Sequence, residues 1–102
     1  MVLMTIDGLQ QEIFKNAKSK GFYDAAPCFA RLADHLDSEV NEARHAAQFS
    51  DCEAFYEELA DVIILTLSIA AYYGRSLEQD ILRKHEKNIA RPYLHRKGKE
   101  LC

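Results

Sequence analysis

The chain is 102 residues long, 48% hydrophobic and 28% charged, which excludes a multidomain enzyme, a repeat array and a disordered chain and leaves one small domain with one core. Four glycines and two prolines are too few for the frequent turns of a β-sandwich or barrel, so the fold class read from composition is all-α. The net charge of -3 hides an asymmetry: residues 1–82 carry 14 acids against six bases, residues 83–102 seven bases against two acids, and nine carboxylates crowd residues 34–61 beside the lone base Arg44. Such a crowd calls for a solvated face or for bound cations.

Taken in chain order, residues 6–20 place Ile6, Leu9, Ile13, Phe14 and Ala17 at spacings of three and four, an amphipathic helix capped by Thr5 and ended by Gly21. An aromatic connector, Phe22-Tyr23-Asp24, leads to Pro27, which suits the first turn of a second helix. The stripe Phe29, Leu32, Ala33, Leu36, Val40, Ala43 and Ala47 carries that helix to about Ala47. Ser50 and Glu53 form a capping-box pattern that opens a third helix, running to Tyr73 and stopped by Gly74. Ser76 with Gln79 opens a fourth, ending near Ala90 before Arg91-Pro92, and residues 91–102 form a basic tail. The expectation is a single domain over residues 1–102, a four-helix bundle-like chain.

Residues 62–73 lack any charge, and a helix apolar all round must be covered all round. Twelve residues are too few for a membrane span of about 20, so the expected cover is a second copy, in a homodimer or homotetramer. Three cysteines, without a C-x-x-C pair or a secretory leader before them, oppose a disulfide scaffold and point to the cytoplasm.

Two acidic pairs carry the chemistry: Glu39 with Glu42, and Glu58 with Asp61. Each is spaced i,i+3, so both carboxylates share one side of a helix. The turn between helices two and three centres near Phe49 and Ser50, which brings all four to one level of an antiparallel hairpin, the geometry of a hard-cation site. For Glu39 and Glu42 alone a solvated helix face is the favoured reading. Glu58 differs: with Phe55, Leu59, Val62, Thr66, Ile69 and Tyr73 as the buried stripe of the third helix, it falls inside that stripe and Asp61 on its shoulder. A carboxylate there is costly unless paired or metal-bound. Lys84, Asn88 and Arg91 follow i, i+4, i+7 on the fourth helix; singly they read as a favourable helix end, together with a cation site as a phosphate clamp.

The ordered set Glu39-x-x-Glu42, fifteen residues, Glu58-x-x-Asp61, then Lys84-x-x-x-Asn88-x-x-Arg91-Pro92-Tyr93-x-His95 resembles the MazG-like all-α nucleoside triphosphate pyrophosphohydrolases. The resemblance spans roughly residues 20–97 and includes the connector Lys20-Gly21-Phe22-Tyr23; Ser68 and Arg96 stand where relatives often have Asp and Gly. It implies a helical dimer or tetramer that uses Mg²⁺, with Mn²⁺ as an alternative, to split an NTP or dNTP between the α and β phosphates, releasing a nucleoside monophosphate and pyrophosphate. House-cleaning of noncanonical nucleotides or control of dNTP levels is the role it suggests. By motif position Glu39, Glu42, Glu58 and Asp61 would be the catalytic metal ligands, and Lys84, Asn88 and Arg91 would meet phosphates and sugar, with Lys20, Phe22 and Tyr93 also in the substrate site. Phe22, Tyr23 and Tyr93 could stack on a base, although aromatics at helix connections are more often packing residues.

A di-iron site would need Glu-x-x-His twice, and only Glu42-Ala43-Arg44-His45 occurs. Scattered Cys28, Cys52 and Cys102 and unpaired histidines disfavour zinc. A non-catalytic dimeric helical module with a basic tail is the alternative function, although the acidic body would repel a duplex and no stable nucleic-acid binding is expected.

Overall fold

The computed structural model describes residues 4–92, which form four helices and no strand: α1 (Ile6–Ser19), α2 (Phe29–Phe49), α3 (Cys52–Tyr72) and α4 (Leu77–Ala90). None is long and apolar enough to cross a membrane. The all-α class is as read from composition, and most boundaries follow from local chemistry. Thr5 Oγ1 accepts from the Gly8 N–H, and Ser76 Oγ accepts from the Gln79 N–H, so both N-termini lie where their caps predict. Gly21 and Gly74 adopt φ of +82° and +73° and close α1 and α3 by the same motif. In one, the Gly21 N–H donates to Lys18 O and the Phe22 N–H to Ala17 O; in the other, Gly74 donates to Ala71 O and Arg75 to Ala70 O.

Two starts differ from expectation. Asp51, not Ser50, caps α3, its carboxylate accepting from the Ala54 N–H; a one-residue shift satisfies the same orphan donors with a charged acceptor that also favours the helix dipole. Pro27 lies before the α2 cap, Cys28, rather than in the first turn, because the chain first turns through Ala26 at φ +47°. Cys28 and Cys52 are both exposed.

The third helix is the central element, packing on α2 and α1, whereas α4 touches only α1 and α3. The buried residues are Leu32, Ala43 and Ala46 of α2, Leu65, Leu67 and Ser68 of α3, Tyr23 of the connector and Gln10 of α1. This corrects both stripes. On α2, Phe29, Ala33, Val40 and Ala47 are exposed, and the inward row runs Leu32, Leu36, Glu39, Ala43, Ala46. On α3, Leu59 is exposed, as is Tyr73 just past its end, and the row runs Glu58, Leu65, Ser68, Tyr72, with exposed Asp61 at its edge between Glu58 and Leu65. Both rows have a heptad's alternating spacing of three and four, which suits an antiparallel pair.

One side chain fixes the start of α4. The Gln10 amide, 1% exposed, donates to Leu67 O (3.1 Å) and Arg75 O (2.9 Å) and accepts from the Leu77 N–H (3.2 Å), tying α1 to the end of α3 and the start of α4. Ser76 Oγ donates to Asp7 Oδ1 (2.7 Å), and Glu78 Oε1 accepts from the Ile6 N–H (3.0 Å). Beyond this attachment every residue from 81 to 92 is exposed, including Ile81, Leu82 and Ile89. Ile63, Ile64 and Tyr73 in the apolar run of α3 are exposed as well. The four helices therefore form an open arrangement rather than a closed bundle.

Candidate metal centre

Because Glu39 occupies the inward row of α2, and Glu58 that of α3 with exposed Asp61 at its edge, antiparallel packing brings three carboxylates together. One oxygen from each lies within 4.8 Å of the other two. Glu39 and Glu58 are half-buried and Asp61 is exposed. Glu39 Oε2 and Glu58 Oε2 are withdrawn from solvent without a hydrogen-bond donor among the described residues. The second Glu39 oxygen, Oε1, lies 3.5 Å from His35 Nε2.

Burial, followed by the neighbouring charges of Glu42 and Asp61, pushes the Glu39 carboxyl above its ordinary range; His35 opposes this only in part. Glu58 is pushed up by burial first, then by Glu42, Asp61 and Glu39. Glu42 is exposed and outside the three that converge within 4.8 Å, yet it is the foremost neighbouring charge on both Glu39 and Glu58 and lies within side-chain hydrogen-bond reach of each. An acceptor withdrawn from water without a donor is unfavourable, more so when charged, and a proton or a cation beside these two oxygens would relieve it. Three converging oxygen donors, with no sulfur among them and the His35 imidazole outside the group, fit a hard ion of the Mg²⁺, Mn²⁺ or Ca²⁺ kind.

A cavity of about 470 Å³ adjoins the cluster, lined by Glu39 and Asp61 on the α2–α3 side and by α1 residues and Phe22 on the other. The turn that closes α1 sets Phe22 there. Its ring stacks on His35 with centroids 5.4 Å apart, and His35 in turn contacts Glu39. Tyr23 does not face a ligand: it is in the core, stacked on Tyr72 at 4.4 Å, with its hydroxyl 2.5 Å from Ser68 Oγ. Burial raises its pKa, and the Ser68 bond only partly offsets this.

The other sequence-derived residues lie elsewhere in the single chain. Lys84 and Asn88 line a separate groove on α4 with Asp80, Ile81 and His85. Arg91 caps α4 and is exposed, and Lys20, also exposed, caps α1. Tyr93, His95, Cys102 and the rest of the basic tail lie outside the described residues. Conversely, sequence reasoning passed over Glu12 and Asn16, which line the cavity from α1, and His35, which bridges Phe22 and Glu39. A four-residue spacing beside Ile13 and Ala17 was the available signal for the first two, and it is indistinguishable from an ordinary solvated helix edge. Compared with family models, curated proteins and solved structures, the chain matches none of them.

Proposed function

We propose that the chain is a Mg²⁺-dependent nucleoside triphosphate pyrophosphohydrolase of the MazG-like kind, which cuts an NTP or dNTP between the α and β phosphates. The observation that carries this reading is the convergence of Glu39, Glu58 and Asp61, with one oxygen each of Glu39 and Glu58 withdrawn from solvent and without a donor among the described residues. A merely solvated acidic face keeps its carboxylates in water, where they are best hydrated. Glu39, Glu58 and Asp61 would hold the ion, with Glu42 adding charge at the rim. When bound, it supplies neutralisation of phosphate charge and a more acidic attacking water.

The cavity beside the cluster gives the substrate a partly apolar wall. Ser68 carries the only hydroxyl among the lining residues, and that hydroxyl is engaged with Tyr23, so direct attack by water is favoured over a covalent intermediate. Exposed Ile63, Ile64, Ile81, Leu82 and Ile89 are the surface that a second copy would cover in a homodimer or homotetramer. Lys84, Asn88 and Arg91, exposed on the same α4, would meet the phosphates in that assembly.

The uncovered face of α4 favours a second reading, the non-catalytic dimeric module. One assay separates the two: a panel of NTPs and dNTPs with Mg²⁺ or Mn²⁺, products identified by phosphorus NMR. Nucleoside monophosphate and pyrophosphate are expected. Orthophosphate as the first product would place the cut at the terminal phosphate, and no turnover of any nucleotide would leave the module.

A further inference from the structure

A continuous run of contacts leads from the connector between α1 and α2 to the acidic cluster. It starts at Gly21, whose positive φ, with the bond from the Phe22 N–H to Ala17 O, turns the chain out of α1 and sets the two aromatic side chains that follow. Tyr23 is anchored in the core: its ring stacks on Tyr72 at 4.4 Å and tilts against Phe14 at 5.3 Å, and its hydroxyl meets that of buried Ser68. Phe22 packs edge-on against this anchored ring at 4.7 Å, and the His35 imidazole stacks on Phe22 with an interplanar angle of 28°. His35 Nε2 then lies 3.5 Å from Glu39 Oε1. An ordinary i,i+4 pair on a solvated helix face has no support beyond its own helix. This imidazole is held by the connector.

We infer that His35 is a positioning residue for Glu39: by presenting its ring N–H to Oε1 it fixes the turn of the carboxylate and leaves the donorless Oε2 to a divalent cation. The inference rests on reading the acidic cluster as a cation site, and it is independent of which substrate is cut. A glutamate side chain has several rotatable bonds, and ordering them is part of the cost of binding an ion. Glu42 and Asp61 are like charges beside Glu39, so in the ion-free protein they push its carboxylate out of the arrangement a cation requires. His35 is the group that opposes them. At 3.5 Å the contact is longer than a formed N–H···O bond, so it guides the carboxylate without locking it. Outer partners that orient metal ligands change affinity by about 10–100-fold, and a long contact from a side chain 42% exposed belongs at the lower end of that range.

The test is calorimetric titration of Mg²⁺ alone, without nucleotide, into wild type, His35→Ala, His35→Gln, Phe22→Leu, and His35→Ala combined with Phe22→Leu, with melting in chelator as the check that each is folded. His35→Ala should raise the Kd about tenfold. His35→Gln, whose amide N–H can reach the same oxygen from the same helix position, should recover most of that loss. Phe22→Leu stays apolar but loses the flat face, so it should weaken binding by a smaller factor. Added to His35→Ala it should change nothing further, because Phe22 acts on the ion only through the imidazole. General loss of support at α2 would neither be rescued by glutamine nor disappear in the double variant. Wild-type affinity in His35→Ala, a His35→Gln as weak as the alanine variant, or additive effects of the two substitutions would overturn the inference and leave the cation site standing. No Mg²⁺ uptake by wild type would remove the cation site and the inference together.

Discussion

Glu39→Gln keeps the shape of the side chain and deletes one of the converging charges, and its effect on stability should change sign with the divalent ion. Oxygens of Glu39 and Asp61 come within 4.8 Å. Two unit charges at that separation repel by about 0.9 kcal/mol at the dielectric of water and about 3.5 kcal/mol at an effective value of 20. Asp61 is exposed, so the screened end of that range governs. In a chelator at neutral pH the variant should therefore be about 1 kcal/mol more stable than wild type, about 4–8 °C in Tm for a domain of this size. The pH dependence follows from the raised pKa of Glu39. The folded state holds that proton more tightly than the unfolded chain, so the penalty is absent below the ordinary glutamate range and grows as pH rises through the raised value. The variant's advantage should accordingly vanish in acid. With Mg²⁺ at a hundredfold its Kd, wild type should gain about 2.7 kcal/mol while the variant gains little, reversing the order. Differential scanning fluorimetry across pH, with chelator and with Mg²⁺, reads all of this. A variant less stable than wild type in chelator, or an equal Mg²⁺ gain in both, would refute the reasoning.

Other consequences concern the scaffold. Gln10→Ala removes three hydrogen bonds at the junction of α1, α3 and α4, and urea unfolding should show a loss of about 2–4 kcal/mol; a loss under 1 kcal/mol would contradict the role given to this amide. Ile63→Glu places a charge on the uncovered face of α3, so light scattering should find a monomer where wild type is a dimer or tetramer; a monomeric wild type would contradict the proposed cover. Asp80 is held below its ordinary value by hydrogen bonds from Arg75 and Arg83, so its contribution is present above pH 3.8 and is lost as pH falls through the lowered value. Asp80→Asn and wild type should thus converge in strong acid, and a stability gap that persists there would count against the pair.

What the sequence disclosed depended on whether the signal was local. Thr5, Ser76, Gly21 and Gly74 mark helix ends through bonds made within a few residues, and these ends are where the residues indicate. Ser50 and Asp51 are both good caps in succession, and local chemistry alone does not choose between them. The inward rows were harder. The third helix is apolar on nearly every side beyond Val62, so its pattern defines no unique face, and contact with α1 and α2 decides that Leu65 and Ser68 turn inward while Ile63 and Tyr73 do not. On α2, Glu39 looks like one more solvated acid until Ala43 and Ala46 are seen to be buried in the same row; two alanines carry little hydrophobic signal. The convergence of Glu39, Glu58 and Asp61 follows from hairpin register and was legible, whereas the position of Glu42 at the rim depends on which way α2 is rotated. Glu12, Asn16 and His35 meet the site only through tertiary packing.

Isothermal titration of Mg²⁺ into wild type and Glu58→Gln, in two buffers of different ionisation enthalpy, addresses the acidic cluster most directly. In mild acid, just above the ordinary glutamate range, wild type should take up the ion and release protons as it does so, since carboxyls held above that range ionise to bind it, and Glu58→Gln should take up little. No uptake by wild type, with or without a nonhydrolysable triphosphate analogue, or equal uptake by the variant, would contradict the assignment of these carboxylates to a divalent cation.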